Sequence, residues 1–223
     1  MDARIHMGSC MLVCGPVWSG KTSFVIRFVS QAEQMFDAKP SYVYWFYGQE
    51  TAQQELLTKK GFIMYHGLPE NFDFTEPNSI IVLDDLMDAA ARHAGVTDLF
   101  TKAAHHKNQF VIYILQNLLP RHPEARTRAL NSQYMCLFNA PRDTSQIAVL
   151  GRQLYPSRKN YLLNIYKDAT QTPHSYLFID LCQKTAELIR FRTNILPDEA
   201  PMVAYVDKQL FAQAHPLHHA VQA

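Results

Sequence analysis

Met11-Leu12-Val13-Cys14-Gly15-Pro16-Val17-Trp18-Ser19-Gly20-Lys21-Thr22-Ser23 decides the fold. Four apolar residues ending at a glycine predict a short parallel strand buried on both faces. Gly15 to Thr22 then fits G-x-x-x-x-G-K-[ST] at each required position. Behind this loop, Phe24, Val25, Phe28, Val29 and Ala32 recur at helical spacing. The predicted order is therefore strand, glycine loop, helix, which is the context the motif needs.

Each residue type in the loop has a physical reason. Gly15 and Gly20 permit backbone angles that a side chain would obstruct, so successive N–H groups can converge on phosphate oxygens. The helix starting near Lys21 turns its partial positive end toward the same point. Lys21 is expected to reach the β and γ phosphates of ATP, and the Thr22 hydroxyl to join the shell of Mg2+. The predicted nucleotide-binding set is Gly15, Pro16, Val17, Trp18, Ser19, Gly20, Lys21, Thr22 and Ser23. Trp18 is bulky for its position; it packs over the loop, against the base or against another subunit.

Outward from the loop, Ile80-Ile81-Val82-Leu83 is the clearest further strand, and it runs into Asp84-Asp85. An aspartate just past buried aliphatics stands at the carboxyl edge of a parallel sheet, where ligands of such sheets bind. Asp84 is the expected partner of Mg2+. Asp85 either aligns and deprotonates an attacking water or caps the helix that follows. Phe110 to Leu115 predicts another strand, ending in Gln116-Asn117. Gln116 is expected to sense the γ phosphate or hold the attacking water, with Asn117 as the less favoured alternative. A polar residue there implies an additional strand between the loop strand and the aspartate strand, as in ring motors, helicases and transporters. Arginines that could meet charge on the transferred phosphoryl group are Arg126, Arg128, Arg142 and Arg152. Arg142 is favoured because it follows the Tyr134–Phe138 strand.

The remaining pattern alternates strands and helices. Tyr42 to Tyr47 predicts a strand. Thr51 to Lys60, Leu86 to His93, Val96 to His106, Ile147 to Leu154 and Tyr161 to Ala169 predict helices, and Gly61 stops the first. Tyr176 to Leu181 with Leu188 to Arg192 predicts a closing hairpin. The fold class is α/β: a P-loop NTPase three-layer sandwich with a mostly parallel central sheet and an added C-terminal β-hairpin. One domain over residues 1–200 is expected, followed by a C-terminal helix or tail over 201–223.

The 223 residues are 48% hydrophobic and 18% charged, with a net charge of +1. Such a chain attracts nucleic acid only through a local patch or several subunits facing one channel. No apolar run approaches the roughly 20 residues that cross a bilayer. The first residues lack a secretion signal, so the expected setting is intracellular. Cys10, Cys14 and Cys136 lie in apolar runs and are expected to be buried, reduced thiols. His105-His106 and the tail's His215, His218 and His219 lack carboxylates or cysteines at ligand spacing, so no metal other than magnesium is expected.

The order of Gly15–Thr22, Ile80–Asp85, Ile114-Leu115-Gln116-Asn117 and Asn139-Ala140-Pro141-Arg142-Asp143 resembles that of genome-packaging ATPases of double-stranded DNA viruses. It is similar to the FtsK–HerA branch, including poxvirus-type, adenovirus-like and polinton or adintovirus relatives. Leu99-Phe100-Thr101-Lys102 with His105-His106, Leu130-Asn131-Ser132-Gln133-Tyr134 and Tyr166-Lys167-Asp168-Ala169-Thr170 add to the likeness, which spans residues 8 to 197. The resemblance implies a homo-oligomeric ring, hexameric or pentameric, that moves double-stranded DNA into a capsid through its portal vertex. It implies a location in the host nucleus or cytoplasm, or with the virion. Asp85 stands where many relatives carry glutamate, and Trp18 is a second departure. Three rivals stay open: a nucleoside or small-molecule kinase, a non-packaging helicase-like translocase, and a binding module that does not hydrolyse ATP.

Overall fold

The computed structural model describes residues 3–50, 53–72, 74, 76–91, 93–118, 123–207 and 211. The first half of the chain forms β1 (Cys10–Cys14), α1 (Lys21–Ser30), α2 (Ala32–Met35), β2 (Val43–Tyr47), α3 (Gln53–Lys59), β3 (Ile63–His66) and β4 (Ile80–Asp84). Next come α4 (Met87–Ala91), α5 (Ala94–Asp98), a π-helical turn (Leu99–Ala103), α6 (Ala104–His106) and β5 (Phe110–Leu115). The rest forms α7 (Pro123–Leu130), β6 (Tyr134–Phe138), α8 (Thr144–Leu154), α9 (Tyr161–Ala169), β7 (Tyr176–Asp180), β8 (Phe191–Thr193) and β9 (Val203–Tyr205).

Among the described residues, nine strands form one sheet in the order β3-β2-β4-β5-β1-β6-β7-β8-β9. Pairing is parallel from β3 through β6 and antiparallel from β6 to β9. β5 lies between β1 and β4, so the strand carrying Gln116 separates the loop strand from the aspartate strand, as expected. The β7–β8 pair is the predicted hairpin.

Alternation within β1 shows why the sheet needs a layer on each side. Cys10, Leu12 and Cys14 pack with Leu86, Val96, Phe100, Leu150 and Tyr166 from the helices after β4. Met11 and Val13 pack instead with Val25, Phe28, Ala32 and Leu57, from α1 to α3. Each aliphatic or aromatic side chain buried in this way contributes roughly 1.5–3 kcal/mol. The outcome is a three-layer α/β sandwich.

Two strands lie outside the sequence expectation. β3 is short, edge-placed and half exposed, so its pattern carries little signal. β9 places Val203–Tyr205 beside β8, where a helix or tail was expected. His215, His218 and His219 lie outside the described residues. No helix among the described residues is long and apolar enough to cross a membrane.

Candidate nucleotide site

The tips of β1, β4, β5 and β6 meet at one edge of the sheet, and the loop from Gly15 to Gly20 crosses it. Gly20 turns into α1 at φ 99°, a left-handed backbone that glycine adopts without steric cost. A Cβ on Gly15 would stand 2.7 Å from Phe138 Cβ, so only glycine fits there. Ser19 Oγ is buried within the loop without a hydrogen-bond partner among the described residues. Buried hydroxyls are normally paired, so this loop has spare donor capacity. Trp18 adopts φ 67° and is 91% exposed. For a bulky residue this backbone costs about 1–2 kcal/mol.

Lys21 is half-buried, and its ammonium donates to the Pro16 carbonyl at 2.7 Å. Burial lowers its pKa, against the pull of Asp84, Cys14 and Asp85. Asp84 ends β4 beside Tyr47 in register. Burial, then the neighbouring Asp85, pushes its carboxyl up to about 6. The Lys21 charge and hydrogen bonds from the Thr22 hydroxyl and the Trp45 indole oppose that rise. Lys21, Thr22 and Asp84 are therefore one electrostatic unit.

Asp85 is exposed, with φ 53°. Gly48 packs directly against this backbone: its N–H donates to the Asp84 carbonyl at 3.1 Å, and a Cβ there would stand 2.2 Å from the Asp85 carbonyl oxygen. Asp85 also precedes the N-cap position of α4, which favours the cleft-facing reading over the capping one. Gln116 is exposed at the tip of β5, and its backbone N–H meets Met87 Sδ at 3.3 Å. Lys21, Thr22, Ser23, Asp84, Asp85 and Gln116 all face one cleft of about 740 Å3. A larger cavity, about 1930 Å3, lies at the opposite edge of the sheet near Gln133 and Arg126, away from the phosphate loop.

The arginines divide. Arg128 is buried, donates to the Ala90 carbonyl at 2.8 Å and covers the Tyr113 ring, so it is structural and cannot reach another subunit. Arg126 faces the opposite edge. Arg142 is exposed in the turn after β6 and is not part of the cleft of its own chain. Arg152 is exposed on α8. Arg27 does line the cleft, but Asp198 at 2.8 Å and Glu199 at 3.2 Å engage it.

Sequence reasoning missed Gly48, Trp45 and His174. The first two approach Asp84 and Asp85 from β2. His174 reaches the loop from the turn before β7, with Nδ1 3.2 Å from the Ser19 carbonyl oxygen. No local motif marks any of them. Cys10, Cys14 and Cys136 are buried free thiols, and burial pushes the Cys14 thiol up to about 12. Among the described residues, no three His, Cys, Asp or Glu side chains form a metal-binding group.

The sheet order and the loop define the fold as that of the P-loop NTPases. No protein-family model matches the sequence, and no curated protein matches it. Among solved structures, the chain is similar to the genome packaging NTPase B204 from Sulfolobus turreted icosahedral virus 2. With AMPPCP, that protein gives a TM-score of 0.54 at 11% identity, over 88% of this chain and 99% of that one. With ATP-gammaS it gives 0.53 at 12% identity, over 89% and 100%. The flagellar accessory protein FlaH from Methanocaldococcus jannaschii gives 0.49 at 11% identity, over 91% and 92%. At such identities the likeness concerns the fold.

Proposed function

We propose that this chain is an ATP-hydrolysing motor subunit that moves double-stranded DNA, packaging a viral genome into a capsid as part of a hexameric or pentameric ring. The observation that carries the nucleotide reading is the convergence of Lys21, Thr22 and Asp84 across β1 and β4, with Gln116 on the strand between. The packaging reading is supported by the sequence resemblance and by the fold shared with B204, which is itself described as a genome packaging NTPase.

The donor set fits Mg2+: a hydroxyl oxygen and a carboxylate, both hard ligands, already face each other at Thr22 and Asp84. Those two residues would hold the ion, which when bound neutralises charge on the β and γ phosphates. Lys21 leaves the Pro16 carbonyl for the phosphates of ATP. Gln116 orients a water molecule, and Asp85 accepts its proton as oxygen adds to the terminal phosphorus and the bond to ADP breaks. Arg142 of a neighbouring copy supplies the remaining positive charge, a contribution of about 10³–10⁵ in rate where such arginines act.

The test is phosphate release from ATP by the full chain, at concentrations where it oligomerises, with and without duplex DNA. Stimulation by DNA is expected. ATP hydrolysis indifferent to DNA would remove the motor reading, and phosphoryl transfer to a small acceptor would replace it with a kinase.

A further inference from the structure

We propose that His174 contacts the nucleoside end of the bound nucleotide, its Nε2 accepting a hydrogen bond from a ribose hydroxyl or the base amine. The inference rests on the reading that the cleft binds ATP, and it names the residue that would read the non-phosphate half.

Sheet order sets the direction in which a bound nucleotide runs. Asp84 and Gln116 stand at the tips of β4 and β5, on one flank of β1. A triphosphate seated on the first turn of α1, with its terminal phosphate toward them, runs its nucleoside toward the other flank. There β6 and β7 lie, and Phe138, His174 and Tyr176 line the cleft.

His174 is held there deliberately. It is exposed, yet its backbone is left-handed at φ 65°, uncommon for any residue other than glycine. The turn is tied by the Ser175 hydroxyl donating to the Thr172 carbonyl at 2.7 Å. The ring occupies the space beside Gly20, where an added Cβ would stand 3.1 Å from Nδ1. The tautomer follows from chemistry. The Ser19 carbonyl can only accept, so the hydrogen bond at 3.2 Å requires the proton on Nδ1. In the neutral ring Nε2 is then a bare acceptor, and it has no partner among the described residues. Ionised phosphates offer no donor to such an atom. On ATP, the hydroxyls of the ribose and the 6-amine of adenine do.

The experiment measures equilibrium binding of ATP, 2′-deoxy-ATP, 3′-deoxy-ATP and inosine triphosphate to the wild-type full chain, His174→Asn and Lys21→Ala. Asparagine places an amide nitrogen where Nδ1 stood, keeps donation to the Ser19 carbonyl and tolerates the left-handed backbone, but lacks Nε2. His174→Asn is expected to weaken ATP binding about fivefold to tenfold. One of the three analogues is expected to bind wild-type protein more weakly by a similar factor, and to bind His174→Asn no more weakly than ATP does. That analogue names the donor. Wild-type protein that discriminates against none of the three overturns the proposal, whether or not the variant folds. His174→Asn binding ATP as wild type does, while Lys21→Ala has lost it, overturns this proposal and leaves the nucleotide site standing. Lys21→Ala binding ATP normally removes the underlying reading itself.

Discussion

The hydroxyl of Thr22, in the first turn of α1, donates a hydrogen bond to the carboxylate of Asp84, two strands away at the tip of β4. Residues 62 positions apart in sequence thus line one cleft. Both are groups a divalent ion would draw upon, and the Lys21 charge lies within electrostatic range of the same carboxylate. The arrangement carries a penalty, because Asp84 is held ionised in a mostly buried place.

That penalty predicts a pH signature. The Asp84 carboxyl is raised from 3.8 to about 6, so between these values the native state holds its proton more tightly than the unfolded chain does. Stability from this group is complete below about pH 4, falls as pH rises through about 6, and stays reduced above. The shift corresponds to about 3 kcal/mol. Asp84→Asn removes the ionisation and retains an acceptor for Thr22 and Trp45. The nucleotide-free variant is expected to be more stable than wild type by about 1–3 kcal/mol at pH 7.5, with the gain fading toward pH 4. Urea unfolding across that range measures it. A variant less stable than wild type at pH 7.5 contradicts the burial account.

Gly48→Ala is expected to abolish ATP hydrolysis while the protein still folds. Its Cβ would stand 2.2 Å from the Asp85 carbonyl oxygen, so the Asp84–Asp85 backbone must move. Gly67→Ala is the control. Unlike Gly48 it has a positive φ, 76°, but a Cβ there meets no atom within 4 Å, so only backbone strain of about 1–2 kcal/mol applies. Parallel assays of hydrolysis and melting separate the two effects.

Most of this architecture is legible in the sequence, and the parts that are not share a cause. Gly15 to Thr22, Asp84 and Gln116 announce themselves because each sits at the end of a strongly apolar strand, a signal confined to a few residues. The inserted strand β5 follows from Gln116 by the same logic. Gly48 and His174 matter only because β2 and the turn before β7 carry them to the loop, and nothing within their own segments says so. Arg128 shows the converse. Its sequence neighbours suggest a polar loop, yet it lies under α4 against Tyr113, where a cation–π contact and a carbonyl hold it. β3 and β9 stay hidden because edge strands with half-exposed residues lack clear alternation.

The closing sheet depends on a buried ion pair. Arg192 donates to the Asp180 carboxylate at 2.9 Å, with the two side chains 1% and 5% exposed. Asp180→Ala would leave a guanidinium buried without its counter-charge, an expected loss of about 3–5 kcal/mol. Denaturant unfolding reads this directly. A change under 1 kcal/mol would show that water reaches the vacated site.

The two tryptophans provide a reporter. Trp45 is 1% exposed and Trp18 is 91% exposed, so acrylamide is expected to quench about half of the emitting residues, with the accessible part lost in Trp18→Phe. Because Trp18 lines the nucleotide cleft, ATP is expected to reduce its quenching. Unchanged quenching at saturating ATP would place the ligand away from Trp18.

The most direct test is the rate of ATP hydrolysis by Lys21→Ala against wild type, with both proteins melting alike. With ATP bound, the ammonium group leaves the Pro16 carbonyl for the phosphates, so its removal is expected to reduce turnover by at least about a hundredfold. Hydrolysis by Lys21→Ala at the wild-type rate would contradict the assignment of the cleft.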